Sequence, residues 1–190
     1  MTPDSTLYLV SLDDTKEYLG LTDDDTDRDN RIGYYITVIS ELADNYTNRA
    51  LLEQEHTEWY DGSGTDRIHL NNYPVSAVTS LVIDHIWDTA SEEIDSSDYR
   101  LLPEYGIIVY KYEFPEGARN IKAVYTAGYS TVPYDLRIAT LEYVAQIWQR
   151  ANEKMWAHES RQGGEKSVTV LRDMPHVTRQ VWDRYRRWRA

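Results

Sequence analysis

The sequence predicts an α+β fold, mainly helical: a small helical bundle with an inserted antiparallel β-sheet and a C-terminal tail helix. Three observations carry this expectation. Apolar residues recur every 3.6 positions over about 27–48 and again over about 133–156. Between about 53 and 129 the period changes to two, and turn-forming residues punctuate the chain. Helical periodicity then returns near the C-terminus. The implied organisation is a core over residues 1–160, with the β insertion at about 53–129, followed by a loop and tail helix over 161–190.

The elements follow in order. Ser11 is a good N-cap for a helix over 11–19, Asp14 three residues later resembles a capping box with Asp in place of Glu, and Gly20 ends the helix. The acidic loop Asp23-Asp24-Asp25-Thr26-Asp27-Arg28-Asp29 comes next. A second helix, about 27–48, presents Ile32, Tyr35, Ile36, Ile39, Leu42, Ala43 and Tyr46 as one stripe. Candidate strands cover 56–60, 67–70, 78–84, 107–112 and 121–126. They are separated by Asp61-Gly62-Ser63-Gly64, Asn71-Asn72-Tyr73-Pro74, Pro103-Glu104-Tyr105-Gly106 and Pro115-Glu116-Gly117. Short strands joined by such turns predict a small antiparallel sheet.

Pro133 suits the first turn of a long helix, about 133–156, and Asp135 favours its positive end. This helix has two apolar stripes. One holds Leu136, Thr140, Tyr143, Val144, Ile147 and Ala151. The other holds Ile138, Leu141, Ala145 and Trp148, and it faces either a thick core or a neighbouring subunit. Those four residues are the subunit-interface candidates. Arg161 to Lys166 reads as a flexible loop and Ser167 to Leu171 as a short strand. Met174-Pro175 opens the last helix, to about Arg189, on the stripe Val177, Val181, Tyr185 and Trp188.

Composition narrows the function. The chain has 190 residues, no cysteine and a formal net charge of −12. Disulfide scaffolds and cysteine-ligated zinc or iron–sulfur sites are excluded. Nucleic-acid binding through overall charge is disfavoured, because phosphate contacts need basic surface. No apolar run approaches the roughly 18 residues of a membrane span, and the N-terminus lacks a signal-peptide pattern, so a soluble chain made in a reducing cytoplasm is expected. The charge is uneven: residues 1–30 hold nine acidic against two basic side chains, whereas 172–190 hold six arginines against two aspartates. Sixteen tyrosines and six tryptophans against one phenylalanine are compatible with contact surfaces.

Catalytic patterns are weak. The alternating Asp23, Asp25, Asp27 and Asp29 fail the calcium-loop pattern, because Arg28 and Tyr34 stand where Gly and Glu are required. The five histidines make no helical zinc pair, although His56 and His69 could meet across a hairpin. No nucleophile elbow, phosphate loop or dinucleotide fingerprint occurs. No catalytic residue, cofactor or metal ligand is assigned. A metal-assisted enzyme and an acidic nucleic-acid-associated module acting through its C-terminal arginine helix are the alternatives. The basic aromatic tail Val177, Val181, Trp182, Tyr185, Arg186, Arg187, Trp188 and Arg189 supplies the partner-binding candidates, against the plainer reading of a core-packed terminal helix.

The order of short motifs resembles the head–tail connector (head-completion, or adaptor) family of tailed double-stranded DNA bacteriophages and prophages. Leu12-x-x-x-Lys16-x-Tyr18-Leu19-Gly20-Leu21 resembles its first helix. Tyr46-Thr47-Asn48-Arg49 is similar to its Tyr-Thr-Gly-Arg element, with Asn in a left-handed position usually held by Gly. Pro74-Val75, Asp98-Tyr99 and Gly106 fit the middle. Val124-Tyr125-Thr126-Ala127-Gly128-Tyr129, followed by Val132-Pro133-Tyr134-Asp135-Leu136, is the most specific piece.

The resemblance implies a virion protein without catalysis at the head–tail interface. It implies a homo-oligomeric ring, commonly twelve-fold, on the portal protein, with a stopper or tail-completion protein as the next partner. Double-stranded DNA would pass through the ring without specific binding, which negative charge favours. The C-terminal helix would reach the portal, so deleting 175–190 is expected to abolish docking while the rest still folds.

Overall fold

The computed structural model describes residues 8–22, 26–83, 91–153, 158–162, 165–169 and 174–187. The chain divides into two compact units. One comprises Met1–Asn48 with Val132–Ala190, the other Arg49–Thr131.

The helical unit contains α1 (Leu12–Leu19), α2 (Thr26–Thr47), α3 (Tyr134–Glu153) and α4 (His176–Tyr185). α1 starts as its sequence dictates. The Ser11 hydroxyl accepts from the Asp14 amide at 3.0 Å, and Gly20 ends the helix at φ 67°. The Ser11 hydrogen bonds, together with Arg137, hold the Asp14 carboxyl below its ordinary pKa. Ile32, Ile36, Ile39 and Ala43 of α2 are buried, as are Leu136, Ala139, Thr140 and Val144 of α3. Leu42, expected on the buried stripe of α2, is exposed. α2 ends at Asn48, whose φ of 56° is the left-handed conformation anticipated for that position.

The segment expected to be a loop, Arg161 to Lys166, is instead part of a hairpin. β8 (His158–Gln162) pairs antiparallel with β9 (Glu165–Thr169), with Gln162 opposite Glu165. β9 begins three residues after the last residue of β8. Strand β9 also begins earlier than the expected Ser167. The Asp23–Asp25 part of the acidic loop lies outside the described residues, as do 154–157 at the expected end of the long helix.

The β unit is richer than expected. Its strands are β1 (Gln54–Gly62), β2 (Arg67–His69), β3 (Val75–Ile83), β4 (Glu92–Glu93), β5 (Tyr99–Leu102), β6 (Ile107–Tyr110) and β7 (Gly117–Ala127). They form two antiparallel sheets rather than one: β1-β7-β3-β4 and β2-β6-β5. The fold is therefore α+β but not mainly helical. The reasons for the shortfall are local. Irregularities between Val75 and Ala77 and between Val78 and Ser80 break the alternation of β3. A two-residue strand such as β4 has no period to read.

Both sheets contribute to one core. Leu81, Ile83, Ile121 and Tyr125 come from the larger sheet and Ile68 and Ile108 from the smaller. In β7 the buried residues Ile121, Ala123, Tyr125 and Ala127 alternate as a half-buried strand requires. No helix among the described residues is long and apolar enough to cross a membrane.

Candidate functional site

The C-terminal helix, the main partner-binding candidate, is built into the helical unit. Trp182 is fully buried, with its ring 5.8 Å from that of Tyr46 and 5.9 Å from that of Tyr143. Val181 is buried beside it. Thr178 is buried and donates its hydroxyl to the Ala139 carbonyl at 2.9 Å.

Two residues of the sequence motifs clamp the helix. The Tyr46 hydroxyl donates to Asp183 at 2.6 Å, which pushes its pKa up. Asp135 accepts from the Tyr185 hydroxyl at 2.5 Å and pairs with Arg184 at 3.6 Å. Arg186 stacks on the Tyr46 ring at 5.6 Å, and the Arg187 amide donates to the Thr47 carbonyl at 2.8 Å.

Asp135 therefore does more than favour a helix N-terminus: it ties α4 to α3. Leu136 beside it is fully buried, and the Pro133 carbonyl accepts from the Arg137 amide at 2.9 Å in the first turn. Deleting 175–190 would strip Trp182 from the interior, so the deletion is expected to weaken the helical unit as well as any docking. On the outer side of α4, Val177, Arg179 and Arg184 are exposed. Trp188 and Arg189 lie outside the described residues.

In the β unit the other motif residues serve a second lock. Arg49 is buried, and its guanidinium donates to the Tyr73 carbonyl at 2.7 Å. It lies over the Tyr73 ring at 4.2 Å and the Tyr129 ring at 5.6 Å. Such desolvated cation–aromatic stacking is worth about 2 kcal/mol. The backbone of Tyr129 pairs with the chain entering the unit: its amide donates to the Leu51 carbonyl at 2.7 Å, and its carbonyl accepts from Glu53 at 3.3 Å. Gly128 sits between them at φ 114°, where an added Cβ would lie 2.3 Å from the Leu52 carbonyl oxygen. Ala127 is buried where β7 meets both β1 and β3.

Tyr125 belongs to a polar cluster that the sequence did not reveal. Its hydroxyl and that of Tyr60 both donate to Glu58, Tyr125 at 2.6 Å. The Asn71 amide donates to Tyr60 at 3.0 Å, and the Asn72 amide to Tyr125 at 3.3 Å. Burial and the hydrogen bond to Glu58 push Tyr125 up to about 12 and Tyr60 higher still. These hydrogen bonds cross-link β1, β7 and the Asn71-Asn72 turn. His56 and His69 do not form a pair: they stand on strands of different sheets, and His56 contacts Asn72 at 3.4 Å.

Burial lowers the His56 pKa below its ordinary 6.5, outweighing the opposing pull of Glu58 and of a backbone hydrogen bond to Ala127. The unfolded chain therefore takes up a proton before the folded one does. Stability is level above about pH 6.5 and falls as the pH drops below it. Urea midpoints measured from about pH 7.5 to about 5.5 should decline, and His56→Gln should flatten that decline; an unchanged slope would rule out His56 as its source.

The four subunit-interface candidates are placed unequally. Leu141, Ala145 and Trp148 are buried within the chain, Trp148 against Tyr35 with Arg31 over its ring. Ile138 is 49% exposed. Sequence reasoning missed Tyr134 beside it, 80% exposed, and Tyr34 on α2, 65% exposed. A signal was present for α2: Tyr34, Val38 and Leu42 recur four residues apart, on the side away from Ile32, Ile36 and Ile39.

The molecule thus has strands locked by polar clusters, a clamped terminal helix and apolar side chains left on the helical surface. The chain belongs to the head completion protein family, whose profile matches residues 8–188 and thereby includes the C-terminal helix. This is a structural, non-enzymatic family of the head–tail connector.

The fold recurs among solved structures. A chain from the neck of a native gene transfer agent (GTA) particle, computed with C12 symmetry, is 18% identical with a TM-score of 0.64, covering 100% of this chain and 93% of that one. A chain from the neck of an empty GTA particle, computed with C6 symmetry, is 20% identical with a TM-score of 0.62, covering 94% and 90%. A chain from the virion of a native GTA particle is 19% identical with a TM-score of 0.61, also covering 94% and 90%. No curated protein matches the chain.

Proposed function

We propose that the chain is a neck subunit that assembles as a ring on the portal of a phage-like particle, twelve-fold where the portal is. The ring extends the DNA channel and offers a platform to a stopper or tail-completion protein. The observation that carries this reading is membership of the head completion family over nearly the whole chain, and the shared fold with chains from GTA necks supports it. The net charge of −12 suits a wall along which DNA slides.

The portal contact falls to the outer face of α4, including Val177 and Arg184, and to the residues that follow Tyr185. Val181 and Trp182 anchor the helix from within. The alternative of an arginine-based nucleic-acid module is less favoured, because Arg184 and Arg186 are engaged with Asp135 and Tyr46.

Electron microscopy of the purified protein, alone and mixed with its portal, should show rings or ring-capped portals. Persistent failure to do either would overturn the reading.

A further inference from the structure

The β unit leaves one edge of β3 open. β7 pairs along one side of this strand. On the other side only Val82 and Ile83 pair with β4, and the Leu81 carbonyl accepts from the Ile94 amide at 2.8 Å. From Val75 to Ser80 that side has no backbone partner among the described residues. Beside it lies a slot of about 350 Å³, whose lining includes Thr79, Ser80, Glu93, Asp95, Ser96 and Tyr99. Its walls therefore come from both sheets, since Tyr99 belongs to β5. Thr79 is the extra residue in the irregularity between Val78 and Ser80, and such bulges re-aim side chains beside binding sites.

The chemistry of the slot selects its occupant. No lysine, arginine or histidine lines it. Among the described residues, Glu93 and Asp95 have no cation partner, and the hydroxyls of Thr79, Ser80 and Ser96 have no hydrogen-bond partner. Asp95 accepts from the Ser97 amide at 2.8 Å, which holds its carboxyl below the ordinary range and keeps it charged. The charge extends beyond the slot: residues 49–131 hold fourteen acidic against six basic side chains, and of the six Arg49 is buried. An unpaired strand edge accepts a further strand through its main chain, and pockets beside it choose the side chains. We propose that the slot binds an extended, basic segment of a partner protein, which adds to β3 as a strand and sets a lysine or arginine against Glu93 and Asp95. A second copy of this chain fits less well, because its net charge of −12 is repelled. The inference stands on the β unit alone and adds a contact surface to the one proposed on α4.

The probe is a fluorescein-labelled peptide, Thr-Lys-Val-Lys-Val-Lys-Thr, mixed with the full chain. Its anisotropy should rise to saturation. The same peptide with glutamate for lysine should not bind. N-methylation along the peptide backbone removes the donors that a strand edge requires and should abolish binding. Glu93→Gln combined with Asp95→Asn should weaken binding about tenfold or more, as loss of charged hydrogen-bond partners does. Asparagine can still accept from the Ser97 amide, so the local turn is kept. Glu113→Gln combined with Glu116→Gln removes the same charge from exposed positions outside the slot and should change affinity by less than about twofold.

Absence of saturable binding by the lysine peptide overturns the proposal. So does binding that survives backbone methylation, or that both double variants weaken equally, since each marks attraction by overall charge rather than a strand in the slot. Sedimentation of the chain alone covers the remaining occupant: self-association abolished by Glu93→Gln with Asp95→Asn would seat a second copy in the slot and overturn the basic partner. Unchanged urea midpoints in both double variants show that any loss of binding is not a loss of fold.

Discussion

Trp182→Ala destabilises the helical unit by about 3–5 kcal/mol, the range for removing a fully buried aromatic side chain. The indole is completely inaccessible and touches aromatic rings on both α2 and α3. The cavity does not readily collapse, because Tyr46 is held in place by its bond to Asp183. Domain stabilities are only about 5–15 kcal/mol, so this single change removes a large share. Urea denaturation followed by far-ultraviolet circular dichroism measures it. Arg179→Ala, on the exposed side of the same helix, is the control and should stay within about 0.5 kcal/mol of wild type. Equal stability of the two variants would show that α4 is an appendage, and deletion of 175–190 would then be as harmless as the sequence suggested.

Gly128→Ala should cost nearly as much for a different reason. At φ 114° a side chain strains the backbone by about 1–3 kcal/mol. The new Cβ would also meet the Leu52 carbonyl oxygen at 2.3 Å and its carbon at 2.4 Å, both backbone atoms that cannot rotate away. Relieving that overlap adds about 1–3 kcal/mol. Gly20→Ala separates the two contributions. Gly20 is also left-handed, at φ 67°, but nothing lies within 4 Å of its Cβ position. It should lose only about 1–2 kcal/mol. If the two variants have the same denaturation midpoint, the close approach at Leu52 carries no cost.

Legibility in the sequence followed physical range. α1 was readable because Ser11, Asp14 and Gly20 write its ends within ten residues. The Asn48 helix end was readable because few residues tolerate a left-handed backbone. The role of Asp135 was half legible: its place at a helix start is local, but its partner Tyr185 is fifty residues away. Arg49 could be matched to a motif, yet nothing nearby shows that Tyr73 and Tyr129 sandwich it. The Glu58 cluster joins side chains from β1, β7 and the turn between β2 and β3, a meeting no periodicity encodes. The β8–β9 hairpin is the converse case, a short-range feature read as a loop. On α3 the second apolar stripe was seen correctly as a stripe. Most of it is needed inside the chain, because Trp148 meets Tyr35 of α2, and that contact has no trace in α3 itself.

The pairing of Tyr129 with Leu51 and Glu53 has a consequence for how the chain is partitioned. The segment that enters the β unit and the one that leaves it are bound side by side, the Tyr129 amide donating to the Leu51 carbonyl at 2.7 Å. The unit behaves as a cassette whose two leads emerge from one socket. To the helical unit, the whole Arg49–Thr131 segment costs little more closure entropy than a short turn, because the cassette's own fold brings its ends together. Such a cassette can lengthen, shorten or be exchanged without the helices having to re-register. That gives evolution a way to redesign the β unit while the helical frame stays constant.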